Sequence, residues 1–359
     1  MPSVTHLADR RGNLFDDIAI PYTAAEATEA PQYLSQSRAL AAAARAARDI
    51  TGADVLDVAC GFGITTHVLA GYNPQSIAAF DASRVMVELA HLVTKSDEPV
   101  KDWLVARGGE ALLGDSLVEV GRYIAALRAG FRQFHFAQAK RPLELAHSGL
   151  MEFSPGRQYD IVVSNNALHW PVSQLRQSLP HPDDSVAVQT AVSTVLAKVR
   201  SLVRPGGVFA FLTHKVFVRL ADSTLDSFLM ARWMGTHPVL AMLNESVRSL
   251  LAKEFGHAEG ERGAPPILFD EATIGSIAEA SGFHLLRTTH VQETLVPRTS
   301  ALEYFRKLIP INLGDVNLAM PEKIEVVNRA TALVRARANQ LPMNQFIPDQ
   351  HHIFVLQAT

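Results

Sequence analysis

Short apolar runs alternate with longer segments of helical periodicity from about residue 51 onward. Runs rich in β-branched and aromatic residues predict strands over 54–59, 76–80, 131–137, 159–164 and 208–213, with two more over 284–296 and 352–357. Apolar positions at helical spacing predict helices over 83–95, 185–203 and 270–280. Strands and helices that alternate in this order are typical of helices wrapped round a mainly parallel sheet, so the predicted fold class is α/β.

Four segments stand outside this alternation. Residues 1–50 predict a helical lid ahead of the first strand, and 97–130 a helical insertion, because that connection is much longer than a crossover needs. Residues 216–266 predict a helical cap, and 299–340 a further helical insertion before the last strand. The sheet core is therefore predicted to comprise 51–215 and 267–359.

Composition narrows the class of protein. With 48% apolar and 19% charged residues the chain can bury a large core, which excludes a disordered or fibrous protein. A net charge of −3 argues against a nucleic-acid partner. The sequence has no apolar run of membrane-spanning length and no signal-peptide pattern, so we expect a cytoplasmic protein without a membrane partner. The single cysteine, Cys60, excludes an internal disulfide, and no grouping of histidines and carboxylates predicts a metal site.

A glycine turn follows the first predicted strand. Residues 57–63 read Asp-Val-Ala-Cys-Gly-Phe-Gly, and a helix is predicted to begin directly after them. Gly61 and Gly63 permit a tight turn and a close approach of a ligand to the backbone. The second strand ends at Asp81, where nucleotide-binding α/β sheets hold ribose hydroxyls. This order of strand, glycine turn, helix, strand and acid predicts a nucleoside-containing cofactor.

Two details distinguish the cofactor. In a dinucleotide-binding fingerprint a small residue stands at the position of Thr66, and no acid is required at the position of Asp57. The run 57–63 instead resembles the first motif of class I S-adenosylmethionine-dependent methyltransferases, apolar-Asp-x-x-Cys/Gly-Gly-x-Gly. Three further segments resemble later motifs of that family in the right order: 80–83 with Met86 and Ala90, 159–165, and 202–207.

The resemblance implies a seven-stranded Rossmann-like sheet whose last strand is antiparallel, with S-adenosyl-L-methionine as the cofactor. It places Asp81 on the ribose, Gly61 and Gly63 close to the cofactor, and Asp57 near the methionine moiety. A strand-end acid that only caps backbone N–H groups is the alternative for Asp57. The predicted cofactor-binding set is completed by Ala82 and Asn165 after the second and fourth strands, and by Gln138, whose carbonyl could accept a hydrogen bond from the adenine amine.

Residues of the lid and of the segment after the fourth strand are candidates for the acceptor site. Residues 15–22 resemble a Phe-Asp-x-x-Ala-x-x-Tyr segment of small-molecule methyltransferases, in which the tyrosine, here Tyr22, closes over cofactor and substrate. Residues 168–170, Leu-His-Trp, resemble carboxyl O-methyltransferases of the trans-aconitate, salicylate and jasmonate types. His169 would donate a hydrogen bond to a carboxylate or take the proton of a hydroxyl. Trp170, and Trp233 in the cap, would contact the substrate, although packing is the alternative for all four residues.

The predicted function is methyl transfer to an oxygen, of a carboxylate or a hydroxyl, on a small and mainly apolar metabolite. Transfer to carbon or nitrogen of a similar molecule is the alternative within the enzyme class. A module that binds the cofactor without turnover is the alternative of another class. The expected partner is the small-molecule acceptor alone, and the expected oligomeric state is a monomer or a homodimer.

Overall fold

A computed structural model describes residues 16, 18–24, 26–27, 32–179, 181, 185–214, 216–217, 238–256, 267–268, 271–290, 294–313, 318–347 and 351–359. The strands in these ranges are β1 Asp54–Val58, β2 Ser76–Asp81, β3 Leu143–His147, β4 Tyr159–Asn165, β5 Val203–His214, β6 Val216–Phe217, β7 Ile267–Leu268, β8 Phe283–His290, β9 Thr294–Pro297, β10 Asn344–Ile347 and β11 His351–Ala358.

Seven of these strands form one sheet in the order β3-β2-β1-β4-β5-β11-β8. The pairs from β3 to β5 are parallel, whereas β11 runs antiparallel to both of its neighbours. The predicted seven-stranded sheet with an antiparallel last strand is therefore confirmed. Two short antiparallel ribbons, β6 with β7 and β9 with β10, lie outside this sheet.

Helices fill the connections between the strands. Residues 18–24 are helical. The helices that follow are α1 Gln32–Ala47, α2 Ile64–Ala70, α3 Arg84–Thr94, α4 Val100–Ala106, α5 Gly109–Leu113, α6 Leu117–Gln133, α7 His135–Gln138, α8 His169–Gln177, α9 Ser185–Leu202, α10 Pro238–Phe255, α11 Glu271–Ala280, α12 Arg298–Asn312 and α13 Met320–Ala338.

One predicted strand is wrong, and the extent of another differs from the prediction. Residues 131–137 belong to α6 and α7, and the third strand lies later, at β3. The aromatic residues that suggested a strand pack instead on each other and on the sheet: Phe131 and Phe136 are buried, with ring centroids 6.3 Å apart. The predicted strand 284–296 is also not continuous, because β8 ends at His290 and Thr294 begins the separate strand β9.

The buried apolar residues form four main clusters. Helices α9 and α11 cover one face of the sheet, and α1 and α2 cover the other. The helical residues 18–24 pack with Phe62, Met86 and the helices α3 to α6. Helices α10, α12 and α13 share a core of their own, so the segments predicted as cap and as late insertion both contribute helices to one cluster. Lys307 of α12 reaches Glu119 of α6, with 3.5 Å between Nζ and Oε2.

Candidate active site

Gly61 and Gly63, which follow β1, have different structural roles. Gly61 has a φ of +54° and Gly63 a φ of +90°, a region that side-chain-bearing residues rarely adopt. A Cβ at Gly61 would meet no atom within 4 Å, whereas one at Gly63 would lie 3.4 Å from Cβ of Ala90. Gly61 therefore leaves its backbone open toward the cavity described below, and Gly63 lets the start of α2 pack closely on α3.

Asp81 connects the glycine turn after β1 with the turn after β2 through hydrogen bonds. Its Oδ2 accepts a hydrogen bond from the Gly61 backbone N–H over 2.9 Å, and its Oδ1 accepts one from the Ser83 N–H over 2.8 Å. Burial raises the pKa of the carboxyl group, and the two backbone donors act in the opposite direction. Its carboxylate oxygens have further lone pairs, so Asp81 can accept hydrogen bonds from a ligand as well.

Asp57 lies beneath the turn rather than on a wall of the cavity. Its Oδ2 accepts a hydrogen bond from Thr66 Oγ1 over 2.6 Å, and burial raises its pKa to about 7. Because Thr66 is the third residue of α2 and its backbone also binds the carboxyl group, Asp57 holds the first turn of that helix against β1. This arrangement is the capping alternative considered for Asp57, and it makes the residue a support of the site.

One cavity of about 710 Å³ opens along the carboxyl ends of the parallel strands. At the side of β1, β2 and β3 its wall includes Gly61, Asp81, Ala82, His147 and Ser148. At the side of β4 the wall includes Asn165, Asn166, Trp170, Pro171 and Gln174, and the lid adds Asp16, Tyr22 and Tyr33. Of the sequence-predicted residues, the structure thus brings together Tyr22, Gly61, Asp81, Ala82, Asn165 and Trp170.

Asn165 is held at the end of β4 by side chains from two helices. Its Nδ2 donates to Ser37 Oγ over 3.0 Å and to Thr65 Oγ1 over 3.4 Å. Its Oδ1 is buried and has no hydrogen-bond partner among the described residues. A buried acceptor left in this state costs about 1–3 kcal/mol, so this position suits a ligand that carries hydrogen-bond donors.

The lid is attached to the cofactor side of the cavity by Asp16. Its Oδ1 accepts hydrogen bonds from Ser83 Oγ over 2.6 Å and from the Val85 backbone N–H over 3.0 Å. Ser83 is itself the N-cap of α3, because its Oγ accepts a hydrogen bond from the Met86 N–H. The acid of the lid segment therefore binds the start of α3.

Two tyrosines of the lid meet over the cavity. The Tyr22 hydroxyl donates a hydrogen bond to the Tyr33 hydroxyl, and the ring centroids are 5.4 Å apart. Burial raises the pKa of Tyr33 to about 12, while a hydrogen bond from the Asn166 side chain acts to lower it. Tyr33 thus connects Tyr22 of the lid with the segment after β4.

His169 and Trp170 of the Leu-His-Trp segment lie on different sides of helix α8. Trp170, Pro171 and Gln174 face the cavity. His169, Val172 and Arg176 are buried and are not part of the described wall. Trp170, Pro171 and Gln174, at positions two, three and six of the helix, share one side, and His169 shares the other with the residues one and two turns after it. The ring of His169 is buried, with its centroid 5.2 Å from that of Trp170, and the catalytic role of His169 stays a prediction.

Gln138 does not lie where the sequence predicts it, because the segment before it is helical and not a strand. It ends α7 and is exposed, its Nε2 donates to the Gln133 carbonyl oxygen over 3.4 Å, and it is not in the described wall of the cavity. The wall beyond β3 is formed by His147 and Ser148, and His147 Nε2 lies 3.0 Å from the Ala82 carbonyl oxygen. Trp233, the substrate candidate of the cap, lies outside the described residues.

Sequence reasoning missed five wall residues that the fold places at the cavity. His147 ends β3 and Ser148 follows it. The alternating Leu-Glu-Leu-Ala pattern just after Pro142 indicates this strand and could have located both residues. Tyr33 and Asn166 have no signal in the sequence, since their positions depend on how the lid packs. Gln174 follows Trp170 at helical spacing and could have been found from it.

Histidine, cysteine and carboxylate side chains in the described ranges form no group of three that could hold a metal ion. Among the helices that the structure describes, none combines the length and apolar character that a membrane crossing requires.

Several solved structures are similar to this chain. The cyclase SpnF is 13% identical, with 98% of this chain and 96% of that chain covered and a TM-score of 0.45. A mycolic acid cyclopropane synthase is 14% identical, with 89% and 83% covered and a TM-score of 0.40. The magnesium protoporphyrin IX methyltransferase of Synechocystis PCC 6803 is 16% identical, with 72% and 77% covered and a TM-score of 0.36. Comparison with curated protein sequences gave no match.

The family follows from the sequence itself. The profile of a methyltransferase domain matches residues 28–288, which is more than half of the chain and includes the glycine turn, Asp81 and the segment after β4. The same residues surround the cavity at the carboxyl ends of the strands. The chain therefore belongs to the methyltransferase domain family and is an S-adenosylmethionine-dependent methyltransferase.

Proposed function

We propose that the enzyme transfers the methyl group to the hydroxyl oxygen of a small, mainly apolar and uncharged molecule. The observation that carries this proposal is the cavity of about 710 Å³, which joins the glycine turn and Asp81 to the lid tyrosines and α8. Ligand sites are typically about 300–1,000 Å³, so the volume suits a cofactor together with a small acceptor.

The described residues fit S-adenosylmethionine. Asp81 offers carboxylate lone pairs for ribose hydroxyls, and the open space above Gly61 leaves room for a ligand against the backbone. The unpaired Oδ1 of Asn165 suits a donor such as an ammonium group. When bound, the cofactor supplies a methyl group on a positively charged sulfur, which a nucleophile takes by in-line displacement.

The charges of the wall favour an uncharged acceptor. Its carboxyl and imidazole side chains are those of Asp16, Asp81, Glu152 and His147, and no lysine or arginine lies on the part of the wall that the structure describes. A carboxylate acceptor would enter a cavity whose described wall carries three acids and neither lysine nor arginine, at an electrostatic cost. This distribution supports a hydroxyl acceptor over a carboxylate.

The chain contributes orientation and exclusion of water. Asp16 fixes the lid to the start of α3, and the bonded pair of Tyr22 and Tyr33 covers the cavity near α8. Burial raises the pKa of Tyr33 to about 12, so its hydroxyl stays protonated near neutral pH and does not take a proton from the acceptor. The hydroxyl proton of the acceptor passes to solvent as the methyl group is transferred, and we therefore expect the rate to follow the acidity of the acceptor itself, with phenols faster than alcohols.

The test is a screen of matched acceptors of one size: a phenol, an aliphatic alcohol, a carboxylic acid, an aniline and an activated carbon nucleophile. Each is incubated with labelled S-adenosylmethionine and the product is read by mass. We expect an oxygen-methylated phenol as the main product. Methylation of the carboxylic acid, aniline or carbon compound in preference would overturn the proposal. Cofactor binding without product from any acceptor would support the non-catalytic alternative.

A further inference from the structure

Gln174 is a polar wall residue whose side chain is not engaged with the rest of the described chain. Other polar wall residues are engaged at least in part: Tyr22 bonds Tyr33, and Asn165 donates to Ser37 and Thr65 although its Oδ1 has no partner among the described residues. Gln174 lines the cavity and has no hydrogen-bond partner in the part of the chain that the structure describes. Its carboxamide is therefore available to a ligand.

The position of Gln174 assigns it to the acceptor rather than to the cofactor. It lies on α8, which follows β4, whereas Asp81 ends β2, and β1 lies between these two strands in the sheet. One helical turn before it stands Trp170, and Pro171 shares the same side of α8. A polar group within this mainly apolar surface is the arrangement by which small-molecule sites fix the orientation of a ligand.

We propose that Gln174 binds the polar group of the methyl acceptor and so makes the enzyme select an uncharged acceptor that can both donate and accept a hydrogen bond. A carboxamide offers two N–H donors and a carbonyl acceptor and carries no charge, which matches a hydroxyl or an amide and compensates neither a carboxylate nor an ammonium group. This inference rests on the proposed function, because it deepens the description of the same site.

The experiment compares three variants, Gln174→Leu, Gln174→Glu and Gln174→Arg, on a matched pair of acceptors, a phenol and the carboxylic acid of the same size. Gln174→Leu should raise the KM for the phenol roughly two- to tenfold, the value of one hydrogen bond between uncharged groups, with a smaller change in kcat. Gln174→Arg should shift the ratio of kcat/KM values toward the carboxylic acid by tenfold or more, because the guanidinium pairs with a carboxylate. Gln174→Glu should shift the ratio the opposite way.

Two controls make the outcomes distinguishable. Gln189→Arg adds the same charge at an exposed position of α9 and should leave the ratio unchanged. The Kd for S-adenosylhomocysteine reports whether each variant keeps its folded cofactor site. Unchanged KM values and ratios in variants with a normal Kd would overturn the role of Gln174. Absence of product from every acceptor with the unmodified protein would instead overturn the proposed function.

Discussion

Asp57 Oδ2 accepts a hydrogen bond from Thr66 Oγ1 over 2.6 Å, which ties the last residues of β1 to the first turn of α2. The glycine turn between them is thereby held at both ends. Support of this kind is expected where backbone groups must stay in place for a ligand. It also places a carboxyl group in a site where ionisation is unfavourable, since burial raises its pKa from 3.8 to about 7.

Replacement of Asp57 by asparagine should therefore stabilise the protein in a pH-dependent way. The unfolded protein ionises this group near pH 3.8 and the folded protein near pH 7, so its contribution to the free energy of unfolding falls as pH rises through that window. Asp57→Asn removes this penalty and keeps an acceptor for Thr66. Its Tm relative to the unmodified protein should increase from about pH 5 to about pH 8, measured without cofactor. The exposed Asp115→Asn should show no such trend, and a flat difference for Asp57→Asn would contradict the assignment.

Asp81→Asn should weaken binding of S-adenosylhomocysteine by roughly ten- to a hundredfold. Hydrogen bonds to a charged group contribute about 1.5–3 kcal/mol, and asparagine keeps one acceptor for the two backbone N–H groups that Asp81 now serves. Calorimetry with the purified variant measures the effect, and its Tm reports whether the turn has survived. An unaltered Kd in a folded variant would remove Asp81 from the cofactor site.

His169 and Trp170 should respond differently to substitution, although they are neighbours in the sequence. His169→Gln changes a buried residue away from the described wall, so it should lower Tm while kcat/KM stays within about threefold. Trp170→Ala removes a wall residue and should raise the acceptor KM about tenfold. The Kd for S-adenosylhomocysteine should stay the same in both variants. A loss of kcat in His169→Gln larger than that in Trp170→Ala would support a catalytic role for the histidine.

Asp16→Ala should loosen the lid without disturbing the sheet. The carboxylate accepts two hydrogen bonds at the start of α3, and their loss removes the described polar anchor of the lid segment at this helix. We expect the dissociation rate constant of S-adenosylhomocysteine, measured by stopped flow, to rise about tenfold with little change in the association rate constant. Asp16→Asn keeps an acceptor oxygen and should give an intermediate value. Equal rates in all three proteins would show that the lid closes independently of Asp16.

The sequence predicts those parts of the fold whose residues are buried on both sides. Strands β1, β2 and β4 lie within one residue of their predicted ends, because a central parallel strand reads as an uninterrupted apolar run. Strand β3 is at the edge of the sheet and half exposed, so its alternating pattern is weaker than the aromatic cluster just before it. Phe131 and Phe136 gave the stronger signal there although both lie on helices.

Site residues, like strands, could be predicted only where the local sequence constrains their positions. Gly61 and Asp81 could be predicted because the turn and the strand end constrain them locally. The roles of His169 and Gln174 depend instead on where α8 begins, since a shift of one residue turns every side chain of a helix by about 100°. Tyr33 and Asn166 meet through the packing of distant segments, which no local pattern encodes.

Strand β11 lies inside the sheet, between β5 and β8, although it follows both in the chain. Strand β8 pairs only with β11 among the strands described for this sheet, and β5 keeps one open edge until β11 arrives. During synthesis at the ribosome, the half of the sheet that carries the cofactor turn can form early, whereas β8 must wait until residues 351–358 have emerged. The nascent chain of this enzyme therefore carries an unpaired edge on β5 from the time residue 214 has emerged until residues 351–358 follow.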